Sequence, residues 1–316
     1  MPRDRLPQLA GQLFLTDTGL ETDLIFHHGF DLPCFASFPL LADPAGRATL
    51  ERYYREHAAV AVEWRTGFIF EAPTWRASRD WGAQLGYAPA ALAEVNRDAI
   101  AMMIDLRAEV TDAGLPAVVS GCVGPRSDAY QAEGALSAAE AREFHREQIR
   151  TLAAAGADMV TALTIPTVAE AIGIVQAAAD VAVPVAMSLT IETDGLLPDG
   201  TPLDDAVRKI DGATDAAAAY LGVNCAHPDH LAAALGRPAS AEWTDRLRTL
   251  RANASRRSHA ELDEAPDLDD GNPIELGAQY RHLLATLPAL TILGGCCGTD
   301  ARHLRSIAQA CTSLAR

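Results

Sequence analysis

The chain is 316 residues long and 49% hydrophobic, with a formal net charge of -16 and an isoelectric point near 4.9. Such an acidic surface repels nucleic-acid phosphates and anionic lipid, so neither is an expected partner, and a small molecule is. No run approaches the roughly 18 to 20 apolar residues that span a bilayer, and no basic-then-apolar leader opens the chain, so a cytoplasmic protein is expected. In that reducing compartment its six cysteines read as metal ligands, catalytic groups or core residues rather than disulfides.

Residues 13–17 (LFLTD) are the first expected strand, followed by Thr18-Gly19. A Pro-containing stretch through Cys34, Pro39 and Pro44 leads to a helical pattern over 48–64. The β-branched and aromatic run 66–71 (TGFIFE) is strand two, with the loop 72–78 behind it. A long helix over 88–113 precedes strand three, 117–122 (AVVSGC), which Gly124-Pro125 closes. Ser137 and Glu140 have capping-box spacing at the head of a helix that Gly156 ends. Strand four is 159–164 and strand five 184–190, with a helix over 167–179 between them. A loop rich in Gly, Pro and Asp covers 194–202, and a short helix lies near 203–210. Strand six is 219–224, followed by helical residues at 230–235 and a weak strand seven at 247–252. An acidic loop over 263–272, a helix over 274–287, strand eight at 291–293 and a helix over 301–314 complete the alternation.

Eight short apolar strands alternating with helices imply parallel pairing through right-handed crossovers, and eight such units close a (β/α)₈ TIM barrel. An open doubly wound sheet is the alternative, but Asp17-Thr18-Gly19-Leu20-Glu21 lacks the three-glycine dinucleotide spacing. One α/β domain over residues 1–316 is therefore expected. Barrel geometry then places Asp17, Glu71, Cys122, Thr164, Thr190, Asn224 with Cys225, Asn253, and Cys296 with Cys297 around one mouth, at the C-terminal strand ends.

Cys225, Cys296 and Cys297 follow strands six and eight, which flank strand seven, so three thiols become neighbours around the ring. Three thiolates and one Zn²⁺ carry a net charge of -1 and leave a fourth position open, a balance that suits alkylation of an incoming thiol better than activation of water. Alternatives stay open at this point: a vicinal disulfide, a zinc lyase or hydrolase with His227 as its base, or a zinc and thiol sensor without catalysis. Cys311 and the scattered histidines read as packing or surface residues.

Gly294-Gly295-Cys296-Cys297-Gly298-Thr299 and Val223-Asn224-Cys225 together resemble the zinc motifs of the homocysteine S-methyltransferase family. Weaker matches are Asp17-Thr18-Gly19, Val123-Gly124-Pro125 and Asp199 to Leu203, and the likeness runs along nearly the whole chain. The resemblance implies zinc held by Cys225, Cys296 and Cys297, homocysteine or a related small thiol held as thiolate, and a methyl donor of the S-methylmethionine, S-adenosylmethionine or betaine type. It implies methionine biosynthesis as the setting and substrate contacts from Asp17, with Glu71, Thr164, Asn224 and Asn253 as further candidates at the mouth. Three segments depart from the family pattern. Leu163 stands where the family carries the Glu that grips the homocysteine amino group, Pro73-Thr74 replaces an Asn-Thr, and Ala252 to Arg256 loses a Pro, a Gly and an acid. Glu71 and Glu192 are the nearby acids able to take over the amino-group contact.

Overall fold

Each of the eight expected strands forms, within two residues of its expected limits. The computed structural model describes residues 6–132, 134–237, 241–265 and 267–312. The strands are β1 (Phe14–Thr16), β2 (Gly67–Glu71), β3 (Ala117–Val123), β4 (Met159–Ile165), β5 (Val185–Leu189), β6 (Tyr220–Asn224), β7 (Leu247–Ala252) and β8 (Ile292–Gly295). All neighbours are parallel, and β8 returns to β1 through Phe14 opposite Ile292 and Leu15 opposite Leu293, so the sheet closes in sequence order. The expected TIM barrel is the observed fold.

Eleven helices are seen among the described residues: α1 (Leu20–Phe26), α2 (Pro44–Trp64), α3 (Arg79–Gln84), α4 (Pro89–Asp112), α5 (Ala138–Ala154), α6 (Val168–Asp180), α7 (Leu203–Thr214), α8 (Pro228–Leu235), α9 (His259–Asp263), α10 (Pro273–Thr286) and α11 (Ala301–Thr312). Ser137 and Glu140 make the reciprocal capping box at the head of α5. Two helices are longer than the sequence pattern indicates. α2 begins at Pro44 because the Asp43 carboxylate accepts from Gly46 N at 2.7 Å and proline suits the first helical position, and α7 runs on to Thr214. The short helices α1, α3 and α9 were not expected, since one or two turns carry too little periodicity to register. The expected end of the last helix at 314 and Pro266 of the acidic loop lie outside the described residues.

Alternation along the strands sorts the barrel into layers. Phe14, Ile69, Val118, Met159, Ala186, Tyr220 and Ile292 pack together as an apolar floor inside the ring, while the intervening Leu15, Phe68, Phe70, Val119, Val160, Met187 and Leu221 pack against the helices. Two residues further along each strand the inward side chains turn polar or small: Thr16, Glu71, Ser120, Thr161, Ser188 and Gly222. Ser120 Oγ and Thr161 Oγ1 lie 2.7 Å apart within this layer. The floor thus shuts one end of the barrel, and polarity rises toward the other.

Gly222 marks where β6 and β7 slip in register, between Leu221 and Gly222, and a Cβ there would lie 2.1 Å from Thr249 Cγ2 and 2.4 Å from Thr249 O. Replacement of Gly222 by Ala should destabilise the fold by about 1–3 kcal/mol through overpacking. Gly212, on the exposed side of α7 with nothing near its missing Cβ, gives the opposite sign: Gly212→Ala should gain about 0.5–1 kcal/mol of helix propensity. Urea denaturation of both variants tests the pair, and equal midpoints would refute it.

Candidate metal and thiol site

β7 brackets the site through its backbone. Cys225 N donates to Arg251 O at 3.1 Å, Cys296 N to Ala252 O at 2.8 Å, and Ala254 N to Cys297 O at 3.1 Å. The chain just beyond β6 and the chain just beyond β8 are therefore both tied to the end of the strand between them. Cys225 Sγ lies 2.8 Å from Cys296 Sγ and 3.6 Å from Cys297 Sγ, and all three sulfurs fall within 4.8 Å of one another. A tetrahedral ion with Zn–S bonds of about 2.3 Å holds its sulfurs about 3.8 Å apart, so this donor set is of the right kind and spread for one zinc.

Two residues beside the thiols have left-handed backbone: Cys225 at φ 54° and Thr164 at φ 61°. For a β-branched residue such as Thr164 this conformation is strained and needs external support. Asn224 supplies it, since its Oδ1 accepts from Thr164 N and its Nδ2 donates to Thr164 Oγ1, both at 2.7 Å. The same Nδ2 reaches Cys296 Sγ at 3.7 Å. Asn224 is thereby committed to shaping the site.

On the other side of Cys225, Tyr130 donates its hydroxyl to Sγ at 3.2 Å, and its ring stacks on His259 with centroids 3.8 Å apart. His259 Nε2 donates to Cys225 O at 2.5 Å, and Nδ1 lies 3.0 Å from Glu192 Oε1. Hydrogen bonds from Cys225 and Cys297, helped by Arg251 and Asn224, push the Cys296 thiol well down, while sulfur contacts push Cys225 and Cys297 up.

Arg251, on β7, points into the same space. Its Nη2 lies 2.8 Å from Asp17 Oδ1, its Nε donates to Gly295 O at 3.1 Å, and Nη2 also reaches Thr18 O at 3.2 Å. Both partners of this ion pair are buried. Burial opposes the Arg251 charge, but Asp17 and Glu71 outweigh it and hold the guanidinium cationic. Tyr53 hydroxyl accepts from Thr18 N and donates to Asp17 Oδ2 at 3.3 Å. His57, pushed down to about 4 by burial, stays neutral: its Nδ1–H donates to Tyr53 O at 2.8 Å, which leaves Nε2 to accept from Thr18 Oγ1 at 2.6 Å.

These groups line a cavity at the barrel mouth. Asp17, Glu71, Cys122, Thr164, Asn224, Cys225, Cys296 and Cys297 meet there as the strand-end expectation requires. Thr190 is buried outside that lining, and Asn253 lines a neighbouring cavity that shares Tyr130, Phe35 and Cys297 with the first. His227 does not line the cavity. It caps α8, with Nδ1 accepting from Asp229 N at 3.1 Å. The cavity also holds residues that sequence reasoning passed over: Glu21, Phe35, Trp75, Tyr130 and Arg251. Only Arg251 left a signal, as a charged residue two places beyond Thr249 on the inward face of a strand. Glu21 sits on the unforeseen α1, and Tyr130 on the long loop between β3 and α5. Burial drives both Glu21 and Glu71 up to about 7, against the Ser37 hydrogen bond in the first case and the Arg251 charge in the second.

The sequence profile described as homocysteine S-methyltransferase matches residues 14–311. The chain belongs to that family. It is 28% identical over 213 residues to the homocysteine S-methyltransferase YbgG of Bacillus subtilis (strain 168), a match covering 62% of each chain. To the homocysteine S-methyltransferase of Escherichia coli (strain K12) it is 35% identical over 130 residues, 37% of this chain and 40% of that one. Both matches thus span less than two thirds of the relatives' length. Among solved structures, the metallated form of the homocysteine methyltransferase MmuM from Escherichia coli superposes with a TM-score of 0.72 at 19% identity, covering 97% of both chains. Its oxidized form gives 0.75 at 20% identity, covering 98% of this chain and 99% of that one. At such identity these two confirm the barrel and nothing finer.

Two measurements check the electrostatics. Removing one partner of the buried ion pair, as Asp17→Asn or Arg251→Met, should cost about 3–5 kcal/mol each, and the double variant should cost less than the sum of the singles. Additive losses in denaturant titrations would show that the pair is not coupled. For Glu71, unfolded carboxyl groups ionise near 4.5 and the folded one near 7. The folded state therefore holds a proton that the unfolded state releases, and stability falls as pH rises through that window. Glu71→Gln should melt several degrees above the native chain at pH 8, with the gap closing toward pH 5.

Proposed function

We propose that the chain is a zinc-dependent thiol S-methyltransferase, which moves a methyl group from a sulfonium or quaternary ammonium donor to homocysteine or a closely related thiol. The observation that carries this reading is the convergence of Cys225, Cys296 and Cys297 at the cavity, in a chain of this family. The zinc ligands would be those three sulfurs. Zinc bound there supplies a Lewis acid that keeps a substrate thiol deprotonated at neutral pH.

The protein's own groups account for the rest. Tyr130 and Asn224 hydrogen-bond to Cys225 and Cys296 and hold the sulfurs in place. Asn224 also fixes Thr164, so its part is positioning rather than substrate contact. Methyl transfer by in-line displacement moves no proton at the reacting carbon, so the demand on the protein is to align two substrates and exclude water. Phe35, Trp75 and Tyr130 give the cavity aromatic walls, and its carboxylates outnumber its one guanidinium. Both features favour a cationic donor. Asn253, in the adjoining cavity, has a buried Oδ1 without a partner, which supports a substrate contact reached from that side. The hydrolase alternative loses its base, because His227 is spent on capping α8. All six cysteines are free.

Zinc analysis and a methyl-transfer assay with S-methylmethionine, S-adenosylmethionine and betaine as donors test the reading. About one zinc per chain is expected, falling sharply in Cys225→Ser, Cys296→Ser and Cys297→Ser together with methyl transfer to homocysteine. Unchanged zinc content in the triple variant would overturn it.

A further inference from the structure

One carboxylate of the cavity, Glu71, lies against the hydroxyls of Ser120 and Thr161 yet keeps one buried oxygen that no hydrogen bond or ion pair reaches. Asp17 is paired with Arg251 and accepts from Tyr53, and Glu21 Oε1 accepts from Ser37 Oγ at 2.8 Å. Glu71, the last residue of β2, is 5% exposed, and its Oε2 is buried without a hydrogen-bond partner. Its side chain faces inward with the parity of Ile69, above the apolar floor and into the space that the three thiols share. Leu163 on β4, two strands along from β2, lines the same cavity and offers no polar side-chain atom.

A buried carboxylate without a partner is costly, and a ligand that brings a cation removes the cost. A thiol amino acid held by its sulfur at the cysteines brings its ammonium into this cavity, where it too must be paired. Arg251, whose Nη1 also lacks a partner, is among the described residues the only cationic side chain in the lining and repels an ammonium from its own side. Two cavity carboxylate oxygens lack a hydrogen bond, Asp17 Oδ1 and Glu71 Oε2, and since Arg251 Nη2 lies 2.8 Å from the first, the second is the one left for an ammonium.

We propose that Glu71 seats the α-ammonium of the methyl acceptor, so that the acceptor is an amino-acid thiol rather than a simple alkyl thiol. The proposal rests on the reading of the three cysteines as the thiol site. Under it, the acceptor's amino group needs no partner from Leu163 on β4, two strands along from β2. The burial that raises the Glu71 carboxyl in the empty cavity is offset once an ammonium lies against it.

Equilibrium binding separates this proposal from the zinc reading without any need for turnover. Isothermal titration of zinc-loaded protein with L-homocysteine and with 4-mercaptobutyrate, its desamino counterpart, should show a preference for the amino acid of about 10- to 100-fold, the worth of one buried charge-assisted contact. Glu71→Gln should weaken homocysteine alone and bring the two ligands to within a few-fold, with zinc content unchanged. Glu71→Asp, which keeps the charge but withdraws it, should retain part of the preference. Equal binding of the two thiols by the native protein, or a like loss of both in Glu71→Gln, overturns the ammonium seat. If both thiols bind zinc-free protein as tightly as zinc-loaded protein while the amine preference still depends on Glu71, the metal reading fails and the seat stands.

Discussion

The site depends on a buried cation that must be paired. Arg251 sits almost free of water between β1, β6 and β8, and a guanidinium there persists only if a carboxylate and carbonyls surround it. Asp17, Gly295 O and Thr18 O meet that demand, which locks the ends of β1 and β8 to β7. The backbone of the same strand end holds Cys225, Cys296 and Cys297 through three hydrogen bonds. One short strand therefore sets both the charge balance of the cavity and the spacing of its sulfurs.

The rest of the barrel is graded toward that strand end. Its floor is apolar and packed, its middle carries hydroxyls, and its mouth carries thiols and carboxylates. Such a gradient lets water and substrate enter from one side only and keeps the polar groups in a region of low dielectric, where each charge acts strongly on its neighbours. Strain is confined to the same rim. Thr164 and Cys225 hold left-handed backbone to which Asn224 and His259 hydrogen-bond, while Tyr130 donates to the Cys225 sulfur.

Charge gives the cavity its selectivity. Three carboxylates and one guanidinium line it before any metal is counted, and burial leaves all three carboxyls more reluctant to ionise than in water. Cationic groups relieve this imbalance, and anionic ones worsen it. The unpartnered oxygen of Glu71 is where that imbalance is least offset, since the neighbouring Leu163 brings no polar side-chain atom.

The strands were legible because buried strands of a closed parallel barrel are short apolar runs between turn residues, from LFLTD at residues 13–17 to the run before Gly294-Gly295, with the mark weakest in β7, whose LRTLRA carries two arginines. The thiol trio was legible too, since ring closure makes the ends of the sixth and eighth strands neighbours across the seventh. What linear pattern could not express was direction and partnership. Nothing local says that Arg251 turns inward to meet Asp17, 234 positions earlier, or that Tyr130 on a patternless loop reaches Cys225. Nor does it say that Asn224 is consumed in holding Thr164, or that His227 is a helix cap. Periodicity and turn chemistry are properties of neighbours in the chain, so they specify elements and their order. Pairing a buried charge or satisfying a carboxylate is a property of neighbours in space, and it is settled only when the barrel has closed.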